Sequence, residues 1–294
     1  MTTRRTFLIR TTALLGVGLS GSVAVAQPLQ DLKGKIADIE SRVKGRLGIA
    51  VLDTGSDHQF GYRKDERFPM CSTFKLMAAA AILKRVEERH ETLERRVRFS
   101  RSDLVTYSPV TEKHLGSGMT VAELCEAAIT LSDNTARNLM LEILGGPSSV
   151  TAFARTLGDS VTRLDRTEPT LNEAVPGDLR DTTAPAAVAE DLRKLMFGHA
   201  LKKTSSAQLE TWLLANKTGD ARLRARLPAS WRVGDKTGSG ERGSTNDVGV
   251  LWPPDAAPLI VAAYLTQTAA SMSERNEALA AVGEAVAATF RRKR

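Results

Sequence analysis

Only four histidines and two cysteines stand among the 294 residues. They are scattered: His58, His90, His114 and His199 stand far apart, as do Cys71 and Cys125. Without a His-x-His, His-Glu-x-x-His or clustered cysteine spacing, a zinc hydrolase is disfavoured, and neither a metal nor a cofactor is expected. Aromatic residues are scarce, at 5%. None interleaves with a basic stretch, so the formal charge of +7 does not read as a nucleic-acid surface. After the first residues no segment is apolar enough to cross a bilayer, which takes about 20 residues.

The first 26 residues explain part of the basicity. Arg4-Arg5 precede Phe7-Leu8, an apolar stretch runs to Leu19, and Ala24-Val25-Ala26 is a small-residue cleavage site. This pattern resembles a twin-arginine export signal. Cleavage after Ala26 would leave 268 residues and a net charge of +4, because the segment holds three arginines and no acid. The mature protein is then expected in the periplasm, as a monomer without a membrane anchor. Exported cysteines can bridge, but the twin-arginine route carries folded protein out of a reducing compartment, so two buried free thiols are expected. The tail Arg291-Arg292-Lys293-Arg294 ends a predicted helix, where cations meet its carbonyl end.

Three motifs follow one another: Ser72-Thr73-Phe74-Lys75, Ser132-Asp133-Asn134 and Lys236-Thr237-Gly238. A serine hydroxyl is a poor nucleophile at neutral pH and needs a proton acceptor, a relay to the leaving group and donors for the oxyanion. The motifs can supply these parts, although a serine-x-x-lysine pattern arises about once by chance in such a chain. Ser41-Arg42-Val43-Lys44 is such a second copy. It falls in the helical run Leu32, Ile36, Ile39, Val43 and reads as a solvated face. Lys217-Thr218-Gly219 repeats the third motif after a helix-like segment, with Gly219 predicted as its C-cap. Lys236, by contrast, closes a strand-like run that leads into a glycine-rich turn, so its amine can project into a cleft.

A first helix and a hairpin over 47–62, a helical middle, three strands over 231–236, 245–252 and 259–267, and a last helix over 274–290 predict an α+β fold. One antiparallel sheet would be built from both chain ends, with a lobe of 27–68 and 215–294 and a helical lobe of 69–214. The seam between the lobes is a natural place for a cleft.

With these motifs in order, essentially the whole mature chain resembles a class A serine β-lactamase. The resemblance implies the β-lactamase/transpeptidase-like fold, a five-stranded sheet flanked by N- and C-terminal helices, and hydrolysis of penicillins and cephalosporins through a serine acyl-enzyme. It implies Ser72 as nucleophile, Lys75 as proton acceptor, and Ser132 as the relay to the lactam nitrogen with Lys236. The backbone N–H groups of Ser72 and Ser239 would form the oxyanion hole. Lys236, Thr237, Gly238 and Ser239 would receive the substrate carboxylate, Asn134 the acylamide, and Tyr107 would wall the mouth. Arg166-Thr167-Glu168-Pro169-Thr170-Leu171-Asn172 resembles the loop, here over 163–181, that supplies the deacylation base. Glu168 and Asn172 would orient and deprotonate water, a cis Glu168–Pro169 bond is implied, and Arg166 would pair with Asp181.

Some positions depart from the family pattern. Thr245 stands where many members carry an arginine behind the substrate carboxylate, and Arg222 stands where others place a substitute. The family partners of Cys71 and Cys125 would be near Gly240 and at Ala79, so neither family disulfide can form. Two other activities share the serine and lysine machinery. A D,D-peptidase would not need Glu168 with Asn172, and a β-lactam sensor would need a membrane segment to signal through.

Overall fold

The computed structural model of the chain describes residues 21–56 and 58–290, with side chains from residue 27 onward. The predicted export signal lies outside the described residues up to residue 20, as does the basic tail 291–294. Among the described residues no helix is long and apolar enough to cross a membrane, and no group of three or more His, Cys, Asp or Glu could hold a metal ion.

The fold is α+β. Five strands, β1 (Arg46–Asp53), β2 (Gln59–Tyr62), β3 (Arg232–Ser239), β4 (Thr245–Trp252) and β5 (Leu259–Thr266), form one antiparallel sheet in the order β2-β1-β5-β4-β3. The last strand thus sits at the centre, pairing with β1 and β4, and ties the chain ends together. Its sequence, Leu-Ile-Val-Ala-Ala-Tyr-Leu-Thr, is buried throughout because both faces of the sheet are covered.

Period-2 alternation sorts each strand into two cores. Leu47, Ile49, Val51, Leu259, Val261 and Leu265 face the terminal helices α1 (Gly21–Val43) and α8 (Met272–Phe290), meeting Leu32, Ile36, Leu279, Val282 and Val286. Ala50, Leu52, Ile260, Ala262 and Tyr264 face the other way, into the core shared with the helical middle. Each fully buried aliphatic side chain here contributes about 1.5–3 kcal/mol of transfer free energy. As its apolar spacing predicts, α1 buries Leu32, Ile36, Ile39 and Val43 while Ser41 stays exposed.

The helical middle comprises α2 (Lys75–Glu87), α3 (Val121–Thr130), α4 (Asn134–Leu144), α5 (Pro147–Thr156), α6 (Pro185–Met196) and α7 (Lys203–Leu214). α2 runs through its centre: every residue from Lys75 to Leu83 is buried. One expectation fails here. Gly219 does not cap α7, which ends at Leu214 with Ala215 as C-cap. The capping signal misled because Gly219 serves packing: a Cβ there would come within 2.2 Å of the Asp235 carboxylate.

Candidate active site

Ser72 lies in the 3-10 turn Cys71–Phe74 that feeds directly into α2, whose first residue is Lys75. Cys71 holds a left-handed φ of 46°, as do Tyr107 at 66° and Ser132 at 58°. Left-handed backbone at three non-glycine residues is costly and persists only where its surroundings enforce it, a common feature of functional sites. On the opposite wall, Gly238 lets β3 approach: a Cβ at this position would sit 2.8 Å from Met70 O and 3.2 Å from Ser72 N. Ser239 is the next residue along that strand.

The predicted groups converge. Ser72 Oγ donates to Glu168 Oε1 at 3.3 Å. Lys75 Nζ donates to the Ser132 carbonyl at 2.7 Å, to Ser132 Oγ at 3.1 Å and to Asn134 Oδ1 at 2.8 Å, and lies 3.5 Å from Glu168 Oε1. Lys236 Nζ reaches the same Ser132 Oγ at 3.1 Å. One hydroxyl therefore stands between two amines, and one amine between a hydroxyl and a carboxylate, a continuous path for a proton.

Glu168 is carried by the 163–181 loop, and its bond to Pro169 is cis. Asn172 Nδ2 donates to Glu168 Oε2. Arg166 fastens the loop, with Nε donating to Asp181 Oδ2 at 2.6 Å and Nη1 to Glu173 Oε2 at 2.5 Å. Asp181 also accepts from the backbone N–H groups of Asp165 and Arg166. Asn134 Nδ2 donates to Thr106 O, and Tyr107 is exposed beside it.

Arg222 is buried and does not open freely onto the cleft. Its Nη2 donates to Ser239 Oγ at 2.6 Å and its Nη1 to the carbonyls of Gly238 and Asn246, while Nε meets Asn276 Oδ1. Its charge thus reaches the cleft through the Ser239 hydroxyl. Cys71 and Cys125 are both buried and unbridged, and burial pushes both thiols up. A Cβ at Gly240 would crowd Cys71 Sγ at 2.7 Å.

Electrostatics separate the roles. Burial is the main force drawing Lys75 down to about 8, with Arg137 adding to it against the attraction of Glu168, so a neutral amine is within reach near neutrality. Lys236 is pulled well below its ordinary value by burial and by Lys75 and Arg222. Burial would raise Glu168, but Lys75, Arg137 and the bonds from Asn172 and Ser72 bring its carboxyl below the ordinary value.

Several participants escaped the sequence reading. Asp133 caps α4 through Ala136 N and accepts from Val110 N, Thr111 N and Thr111 Oγ1, joining the Ser132 turn to the Tyr107 segment. An Asp just ahead of a helical run is a legible cap. Asn138 grips both backbone groups of Glu168. Thr218, in the tripeptide taken for a helix stop, shares a 2.5 Å hydrogen bond with Thr237. Arg137 is fully buried beside Glu168, and its signal was a charge in the apolar register with Met140, Leu141 and Leu144.

The family described as "Beta-lactamase enzyme family" matches residues 31–290. Beta-lactamase OXY-1 of Klebsiella oxytoca is 54% identical over 284 residues, covering 96% of this chain and 97% of that one. Beta-lactamase CTX-M-8 of Citrobacter amalonaticus is 51% identical over 279 residues, covering 95% and 96%. Among solved structures, the putative class A β-lactamase PenP from Rhodopseudomonas palustris superposes with a TM-score of 0.87 at 58% identity, covering 88% of this chain and 100% of that one.

Proposed function

The chain belongs to the β-lactamase enzyme family and is a class A serine β-lactamase that hydrolyses β-lactams and so confers resistance; from that premise we propose how its residues divide the work. Ser72 Oγ attacks the lactam carbonyl and gives its proton to neutral Lys75, while the Ser72 and Ser239 N–H groups hold the oxyanion. As the C–N bond breaks, Ser132 protonates the nitrogen and is resupplied by Lys75, with Lys236 steadying its hydroxyl. Lys236, Thr237 and Ser239 receive the substrate carboxylate, and Arg222 backs Ser239. Asn134 takes the acylamide and Tyr107 walls the mouth. Glu168, steered by Asn172, then deprotonates water, which adds to the ester and releases Ser72.

The observation that carries this reading is the Glu168 carboxylate, 3.3 Å from Ser72 Oγ and held by Asn172. A D,D-peptidase or a stably acylated sensor has no use for a base there. The test is Glu168→Ala mixed with a good substrate and followed by intact-protein mass. We expect an adduct on Ser72 that persists, with release slowed by on the order of 10² to 10⁴. Release at the parent rate removes Glu168 from the mechanism.

The enzyme is further proposed to be built of two lobes, 27–68 with 215–294 and 69–214, and to act as a periplasmic monomer after twin-arginine export. The paired arginines and Ala24-x-Ala26 support that route. The intact mass of protein recovered from the periplasm tests it, and a chain retaining residues 1–26 would contradict it.

A further inference from the structure

Arg137 is an unusual residue to find on the buried face of a helix. Its side chain has no exposure, and Nε, Nη1 and Nη2 all lack hydrogen-bond partners. What it has is a charge contact, Nη2 to Glu168 Oε1 at 3.5 Å, and a ring, with its guanidinium carbon 4.7 Å from the centroid of Phe74. Desolvating a guanidinium without hydrogen bonds is costly, and an apolar side chain of similar volume would be neutral or better for stability. Packing therefore does not account for it.

A charge argument does. Lys75, from α2, must give up its positive charge to accept a proton from Ser72. If it were the only cation beside Glu168, that step would leave a lone carboxylate in a buried site, which is strongly unfavourable. With Arg137 in place an opposite charge remains. We propose that Arg137 is a positioning residue for deacylation, supplying from α4 the permanent buried cation that Glu168 needs when Lys75 is neutral.

The other groups around Glu168 cannot fill that role. Ser72 and Asn172 are neutral donors, and Asn138 binds only its backbone. Arg166 is engaged by Asp181 and Glu173. Lys236 and Arg222 lie on the far wall with Ser132 and Ser239, and Cys71 is held as a neutral thiol by burial. The Asp133 and Asp181 carboxylates favour the charged forms of Lys75 and Arg137 respectively. Burial draws Arg137 down to about 10, which still leaves it cationic near neutrality.

The proposal rests on Glu168 being the deacylation base. It is tested with Arg137→Met, Arg137→Gln and Arg137→Lys, using a β-lactam whose deacylation limits kcat, followed from acid to neutral pH with adduct decay and thermal melting of each variant. Loss of the cation should move the acidic limb of deacylation up by about one pH unit in both neutral variants, slowing release about ten-fold below the midpoint. The lysine variant should restore the parent limb. Because Met and Gln pack differently, a shared shift reports charge, and either one alone suffices if the other does not fold. An unmoved limb in a folded neutral variant, or a lysine variant shifted as far as methionine, overturns the proposal. Glu168→Ala separates the two ideas: a persistent adduct there with an unmoved Arg137 limb rejects the arginine role alone, while release at the parent rate rejects the base itself.

Discussion

Lys236 and Lys217 begin identical tripeptides, yet the first amine is buried against Ser132 Oγ and the second residue is exposed. Neighbours decide the difference. Lys236 ends its reach on a hydroxyl that also takes Lys75, while Lys217 follows Asn216 in a turn whose work is done by Thr218 and Asn216, bonded to Thr237 and Asp235. Lys236→Ala should therefore lower kcat/KM by about 10² or more, because it removes the amine that the proposed mechanism uses both to support Ser132 and to anchor the substrate carboxylate. Lys217→Ala should leave kcat/KM within about two-fold, as for most solvated side chains away from such features. Steady-state kinetics of the two variants decide it, and equal losses would mean that the amine at 236 is not part of the site.

In the proposed mechanism hydrolysis depends on the loop over 163–181, which brings Glu168 and Asn172 to a serine carried by a different segment. It has little regular structure beyond a 3-10 turn at Thr170–Asn172, so polar anchors set its position. Arg166→Ala would leave Asp181, which is buried, with only its backbone donors. We expect a loss of roughly 3 kcal/mol in stability and deacylation slowed by about ten-fold or more through misplacement of the carboxylate. Calorimetry and adduct decay measure the two effects, and unchanged decay in a folded variant would free Glu168's position from this anchor. Such a loop is legible in sequence only through its motif. Its Arg-x-Glu-Pro-x-x-Asn pattern named the residues, but the grip of Asn138 on Glu168 arises from tertiary approach across 30 positions and has no local signature. Strands β4 and β5 were legible because alternating or continuous apolar runs have few other uses, whereas β3 extends past Lys236 to Ser239 because Gly238 allows close approach to Met70, which no strand propensity records.

At the scale of the molecule, the sheet divides two cores, and the larger one holds buried charge that does not serve the site. Asp191 of α6 and Asp159, just after α5, face one another there, and burial together with the Asp159 charge pushes Asp191 up to about 9. Burial would raise Asp159 as well, but hydrogen bonds from Thr162 and Val161 bring it below its ordinary value. Nothing in the sequence marks this pair, because two aspartates 32 positions apart meet only where the segment after α5 lies against α6. Its consequence is a stability that depends on pH. An unfolded chain would ionise Asp191 near the ordinary aspartate value, while the native state keeps its proton to about pH 9. The native state thus binds more protons across that window, and stability falls as pH rises through it, with a slope of up to about 1.4 kcal/mol per pH unit from this one group. Asp191→Asn removes the titration and keeps a donor toward Asp159. Denaturant unfolding of parent and variant from pH 5 to 8 should show the parent losing stability relative to the variant as pH rises, with the gap closing toward acid. Parallel curves would mean that Asp191 is ionised in the folded protein, and that its carboxylate is compensated by partners other than the proton assigned here.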